Sequence, residues 1–119
     1  MSARRTPAQA AGGGAEESAA RFLARQGLEI VARNYRTRFG EIDLVARDGA
    51  TLVFVEVRLR SSARFGGAAG SIDAVKRGRI EAAARQYLAR LAREPACRFD
   101  VVTLEGDTPA WIRAAFECR

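Results

Sequence analysis

The sequence has no histidine, one lysine, one tryptophan, two cysteines and three prolines among its 119 residues. Each scarcity closes off a class of chemistry. Without histidine there is no Ser-His-Asp triad, no imidazole general base and no His-ligated zinc site. A reaction run on this chain must therefore use carboxylates, arginines, hydroxyls, the two thiols or Lys76. The thiols, Cys97 and Cys118, form neither a CxxC pair nor a metal-ligand spacing, so two reduced structural cysteines are expected. No run of about 18 apolar residues is available to span a bilayer. Residues 1–14 also lack the apolar segment of a secretory signal, which sets the expectation of a cytoplasmic protein with no membrane partner.

What the chain has in excess is arginine. Of its 20 basic side chains only Lys76 is a lysine, and with 14 acids the formal net charge is +6. A sequence pI near 10.6 favours a polyanionic partner, a statement about association and not about fold. The length suits one core, since single domains run to roughly 100–150 residues.

Residues 1–14, with Gly12, Gly13 and Gly14, read as a flexible tail, and residues 15–119 as a single domain. From Ala15, the spacing of Ala19, Phe22 and Leu23 predicts a helix with Glu16 and Glu17 in its first turn and Gly27 as its C-cap. A short strand follows, ending near Asn34. Two β-rich runs, 41–46 and 51–58, flank Arg47-Asp48-Gly49-Ala50, and Asp-Gly between such runs predicts a two-residue hairpin turn. Residues 61–70, with three glycines, read as a mobile loop. Ser71 or Asp73 is a candidate cap for a second helix, with Val75, Ile80, Ala83, Ala84, Tyr87, Leu88 and Leu91 as its apolar stripe. Pro95 stops that helix. Residues 98–104 read as a strand and 110–116 as either a strand or a short helix. The order predicts an α/β fold, a mixed sheet flanked by helices.

With Asp48-Gly49 as the turn, Arg47 pairs with Ala50, Asp43 faces Phe54 and Glu41 faces Glu56. Strand alternation then puts Glu41, Asp43, Val45, Phe54, Glu56 and Arg58 on one face, and Ile42, Leu44, Val53, Val55 and Val57 on a wholly apolar one. Three acids gathered in this way repel, so the arrangement calls for a cation among them. One solution is a divalent metal with oxygen ligands. The other is solvated pairing of Glu41 and Glu56 with Arg58, Arg36 or Arg38.

Gly40-Glu41-Ile42-Asp43-Leu44-Val45-Ala46, followed by Val53-Phe54-Val55-Glu56-Val57-Arg58, closely resembles the YraN-like family of uncharacterised bacterial proteins. The likeness extends to Ala15-Glu16-Glu17, Asn34-Tyr35-Arg36, residues 76–88 and Arg98-Phe99-Asp100-Val101-Val102. That family resembles the restriction-endonuclease-like, PD-(D/E)xK superfamily and, distantly, Holliday-junction resolvases. The resemblance implies a restriction-endonuclease-like mixed sheet flanked by helices. It also implies metal-dependent phosphodiester hydrolysis on branched DNA, with Mg²⁺ or Mn²⁺ as cofactor. Asp43 would be the central metal ligand, Glu56 the second, the Val57 carbonyl a third, and Glu16 an accessory acid. A homodimer with two active sites is compatible with the resolvase likeness.

Where the pattern places lysine, two residues after Glu56, this chain has Arg58. Arginine stays protonated and cannot act as a general base, although it can clamp a phosphoryl group. The alternative to an active nuclease is thus a catalytically weak or inactive nuclease fold that binds DNA or a protein partner. Lys76 stands either as a solvent-facing helix residue or as the missing ammonium brought in from elsewhere. Arg36, Arg38, Arg60, Arg64, Lys76, Arg77 and Arg79 bracket the acidic run and form the expected nucleic-acid-binding rim. Phe39 and Phe65 lie beside arginines as stacking candidates or core anchors. Nothing in the sequence predicts base-specific readout.

Overall fold

A computed structural model describes residues 7–59 and 74–116, with side chains from Gly14 onward. The expected loop 61–70, the candidate caps Ser71 and Asp73, and Arg60, Arg64, Phe65 and Cys118 lie outside the described residues.

The elements run α1 (Pro7–Arg25), β1 (Glu29–Arg36), β2 (Glu41–Asp48), β3 (Thr51–Leu59), α2 (Ala74–Ala89), β4 (Cys97–Glu105) and β5 (Thr108–Phe116). The strands form one sheet in the order β1-β2-β3-β4-β5, with β3 and β4 parallel and every other neighbouring pair antiparallel. A parallel step needs a long crossover, and α2 lies in it. This is the expected mixed sheet flanked by two helices, an architecture compatible with a restriction-endonuclease-like fold. Residues 110–116, open between strand and helix in the sequence, belong to strand β5.

Helix α1 begins at Pro7, so the boundary expected at residue 14 falls inside a helix. Proline suits a first helical position, and Ala8-Gln9-Ala10-Ala11 add intrinsic helix propensity that an apolar-spacing rule does not register. At its other end the Gly27 N–H donates to Ala24 O and the Leu28 N–H to Leu23 O, with Gly27 at φ 98. Leu28 packs in one core cluster with Leu23. This Schellman cap turns the chain back onto the sheet.

The helices cover opposite faces. Ala19, Ala20 and Leu23 of α1 pack on Leu44, Ala46, Val53, Val55 and Val102. Ile80, Ala83, Ala84 and Leu88 of α2 pack on Val45, Leu52, Phe54, Phe99 and Val101. Of the stripe expected on α2, Val75 is exposed and Leu91 falls beyond the helix.

Two readings of the hairpin need correction. First, Asp48 pairs with Thr51, Val45 with Phe54 and Leu44 with Val55, so the turn is Gly49-Ala50 rather than Asp48-Gly49. Gly49, at φ 60, takes the first central position, where a positive φ suits glycine and the twist of a hairpin. The shift is one residue on each strand, so facing parity survives while the pairings Asp43–Phe54 and Glu41–Glu56 do not.

Second, strict alternation fails at Asp43. Ile42 and Val45, three residues apart, pack in the same core under α2, as do Ala32 and Tyr35 of β1. Tyr35 pairs with Ile42 and Arg33 with Leu44, and between them Asn34, at φ 51, stands where Asp43 would be its partner. Asparagine tolerates this left-handed conformation better than a branched residue would. Both strands thus reverse their facing at one point. Ile42 leaves the face that Leu44 occupies, and Asp43 sits at the reversal.

Cys97, expected as a reduced thiol, is disulfide-bonded. Among the described residues, no helix is long and apolar enough to cross a membrane.

Candidate functional site

The reversal at Asp43 decides which acids meet. Glu41 approaches Glu16 of α1, and one carboxylate oxygen from each of Glu16, Glu41 and Asp43 lies within 4.8 Å of the other two. Glu56 follows Phe54 onto the α2 side and is 7% exposed. It also adjoins Asp43 closely enough to hydrogen-bond with it. Asp43 therefore belongs both to the trio with Glu16 and Glu41 and to the pair with Glu56.

Burial pushes the Asp43 carboxyl up from its ordinary 3.8 to about 7, reinforced by the charges of Glu56 and Glu16. The Val57 N–H acts against this, donating to Asp43 Oδ2 at 2.8 Å. Desolvated carboxylates in one another's field are the condition that a bound cation relieves.

Cations approach Glu56 from two elements. Lys76 Nζ, from α2, is 2.7 Å from Glu56 Oε1, while the Arg58 Nη1 is 3.7 Å from the same oxygen. Glu41 pairs with Arg36 at 3.4 Å. The solvated pairing considered for these acids thus applies to Glu41, whereas Glu56 is buried. A cleft of about 490 Å³ opens over this arrangement, lined by Gly40, Glu41, Asp43, Glu56, Val75, Lys76, Arg79 and Ile80.

Of the expected basic rim, Lys76 and Arg79 line the cleft and Arg36 reaches its edge through Glu41. Arg38 stacks over Phe39 at 4.9 Å, and Phe39 is exposed. Arg77 is turned away, its guanidinium 4.8 Å over the Phe116 ring at a separate depression. Arg60 and Arg64 lie outside the described residues. Val57 contacts Asp43 through its amide N–H.

One residue that sequence reasoning passed over is Gly40. A Cβ built there would stand 2.6 Å from Arg79 O, so the β1–β2 loop rests directly on the α2 backbone. Glycine next to the acidic run was the available signal, since close backbone approach is a common reason for glycine. Through this contact α2, and with it Lys76, is set against Glu41 and Asp43.

The donor set suits a divalent ion. All four acids offer hard oxygens, and the trio's oxygens, all within 4.8 Å of one another, are near enough to converge on one ion. Glu16, Glu41 and Asp43 stand close enough to share one ion, while Glu56, the second ligand implied by the resemblance, adjoins Asp43 and is held by Lys76.

Comparison with known proteins adds the family. A UPF0102 protein of Cupriavidus taiwanensis is 60% identical, covering 92% of this chain and 84% of its own. A second, from Methylibium petroleiphilum, is 53% identical over 92% of this chain and 95% of its own. A third, from Paracidovorax citrulli, is 53% identical over 97% and 88% respectively. Residues 15–104, which hold every acid of the site, match the family described as Uncharacterised protein family UPF0102. The chain belongs to that family.

Proposed function

We propose that the chain binds nucleic acid, DNA first among its candidates, and hydrolyses phosphodiester bonds with the help of Mg²⁺ or Mn²⁺. The observation that carries this reading is the convergence of Glu41, Asp43 and Glu56 on one cleft that also holds Lys76 and Arg79, with Glu16 adjoining Glu41 and Asp43. Carboxylates hold a hard cation, and adjacent lysine and arginine meet the phosphate oxygens that such a cation also attracts.

A divalent ion bound there would polarise the phosphoryl group and make water a better nucleophile near neutral pH. The chain's own residues have separate tasks. Asp43 is held by the Val57 amide and is poised to give up its proton when a cation arrives. Glu56 is fixed between Lys76 and Arg58, which sets its orientation before substrate enters. Arg79 and Arg36 lie where the flanking backbone of a nucleic acid would pass, giving sequence-independent, salt-sensitive affinity. Phe39, exposed beside Arg38, offers a stacking face for an unpaired base at a branch.

The test is metal-dependent cleavage of branched and linear DNA by the full chain, run beside Asp43→Ala. Cleavage that requires Mg²⁺ or Mn²⁺ and vanishes in the variant supports the reading; cleavage that persists unchanged in the variant overturns the site. A second reading, binding without turnover, is favoured by one observation, that Arg58 occupies the pattern's lysine position and pairs with Glu56. It predicts DNA binding that weakens with salt and no product with any divalent metal.

A further inference from the structure

The contrast between the two cations at Glu56 leads beyond the family pattern. The pattern takes its lysine from the strand, two residues after Glu56, and here that strand position carries Arg58. Arg58 Nη1 stands 3.7 Å from Glu56 Oε1, its side chain is 27% exposed, and it does not line the cleft. Lys76 reaches the same oxygen at 2.7 Å from α2, is 39% exposed, and lines the cleft together with Asp43 and Glu56. One cation belongs to the cleft lining and the other does not.

The residue types match those positions. In a chain whose other basic side chains are all arginines, the single lysine is the cation that shares the cleft with Glu56. An ammonium is a compact point charge whose donors turn freely, so it can hold a carboxylate and a phosphate oxygen at once. A planar guanidinium asks for a broader, fork-shaped acceptor, which suits a support role beside the carboxylate more than a place beside a reacting phosphorus. Gly40 fixes this placement, because its close approach to Arg79 seats the helical turn that carries Lys76 directly over the carboxylates.

We propose that Lys76, brought in from α2, takes over the role that the pattern gives to the strand lysine. It is the cation presented to a phosphodiester lying over Asp43 and Glu56, with Arg58 as a positioning residue that steadies Glu56 from its own strand. This inference rests on the nuclease-site reading, and its test separates the two.

Full-length wild-type protein, Lys76→Met, Lys76→Arg, Arg58→Met and, as a charge control, the exposed Arg85→Gln are compared in three measurements. In the first, affinity for a DNA junction is measured with Ca²⁺ in place of Mg²⁺. Lys76→Met is expected to weaken binding about tenfold, Arg58→Met by threefold or less, and Arg85→Gln by no more than Arg58→Met. In the second, Mn²⁺ binding is followed by calorimetry. Lys76→Met retains or strengthens it, because the lost ammonium opposed a second cation at Glu56, and that retention also shows the variant to be folded. In the third, cleavage is followed under Mg²⁺. Lys76→Met and Lys76→Arg both lose about 100-fold in kcat with KM changed less, and Arg58→Met loses about fivefold.

Equal losses in Lys76→Met and Arg58→Met, or a larger loss in Arg58→Met, overturn the inference. Full activity and binding in Lys76→Arg also overturn it, since any cation would then serve. If wild-type protein cleaves nothing, the nuclease reading falls and the binding comparison still decides the role of Lys76. If wild-type protein does not bind DNA either, both fall.

Discussion

The Val57 amide donates to Asp43 Oδ2 across the β2–β3 hairpin at 2.8 Å, so a side-chain carboxylate stands in for a backbone carbonyl next to the last ladder pair, Leu44 and Val55. The acid is thereby tied to the strand that carries Glu56, at the point where the strand alternation reverses. A site built this way pre-orients its central acid without metal, and it does so against the acid's own electrostatics.

That tension gives the first prediction. With the Asp43 carboxyl raised from 3.8 to about 7, the folded protein keeps a proton that the unfolded chain has lost. The contribution of Asp43 to stability is therefore undiminished below about pH 4, declines as pH rises towards 7, and is flat above that. Asp43→Asn keeps an acceptor for the Val57 amide and removes the charge. Measured by urea denaturation without metal at pH 8, it is expected to be more stable than wild type by about 2–3 kcal/mol, with the difference gone at pH 4. Asp43→Ala gains less, because the unpaired amide costs about 1–3 kcal/mol. Equal stability of wild type and Asp43→Asn at pH 8 would remove the electrostatic account.

Metal binding should run against the same proton. A divalent cation needs ionised carboxylates, so Mn²⁺ uptake at pH 6 is expected to release about one proton from Asp43 and at pH 8.5 almost none. Calorimetry in two buffers of different ionisation enthalpy reads this directly and does not depend on turnover. Glu16→Gln, which removes one oxygen from the trio with Glu41 and Asp43, should weaken Mn²⁺ binding by roughly tenfold, in keeping with the loss of one hard ligand. Unchanged Mn²⁺ affinity in that variant would place the ion away from α1.

The contact of Gly40 with Arg79 carries the third prediction. A methyl group there meets Arg79 O at 2.6 Å and the Arg79 carbonyl carbon at 2.9 Å, both backbone atoms that cannot swing aside. Gly40→Ala therefore pushes the β1–β2 loop and α2 apart, and overpacking of this kind costs about 1–3 kcal/mol. The expected result is a lower denaturation midpoint together with weaker DNA binding, because Lys76 and Arg79 withdraw from the cleft. A variant as stable as wild type would show that the loop relaxes without moving the helix.

Much of this arrangement was legible in the residues. Gly40–Ala46 and Val53–Arg58 announce a hairpin with acids at fixed positions, and the helix-strand order carries over to the structure. Alternation failed at Asp43 because a period of two assumes an unbroken pleat, and the reversal there involves a left-handed Asn34 on the neighbouring strand. The turn moved to Gly49-Ala50 because which residue of Asp-Gly-Ala takes the positive φ is a matter of register with the flanking strands. Lys76 stood open between a solvent-facing helix residue and the missing ammonium, since its contact with Glu56 spans twenty positions and depends on how α2 docks. Periodicity describes one element at a time, and this site lies where four of them meet.

Away from the cleft, Asp100 supports the edge of the sheet. It is 1% exposed and accepts from Arg98 Nε at 3.0 and 3.1 Å, from Trp111 Nε1 at 2.9 Å, and from the Ala114 N–H at 2.9 Å. Ala114 has φ 49, and the β4–β5 register shifts between Phe99 and Val101, so the carboxylate pins an irregular stretch of β5. Arg98 extends the network to Asp48 at 3.0 Å, beside the hairpin turn. Asp100→Ala leaves two buried donors unpaired and takes from the largely buried Arg98 one of its two carboxylate partners, a loss expected to cost about 3–5 kcal/mol. Asp100→Asn keeps some acceptor capacity but sets an amide N–H against donors, and should cost somewhat less. Trp111 is the single tryptophan, so its fluorescence reports both the unfolding midpoint and the loss of its own hydrogen bond. Folded Asp100→Asn should bind Mn²⁺ as wild type does, since Asp100 is not among the acids that gather around Asp43. A loss of Mn²⁺ binding in parallel with the fluorescence change would instead tie this edge of the sheet to the site.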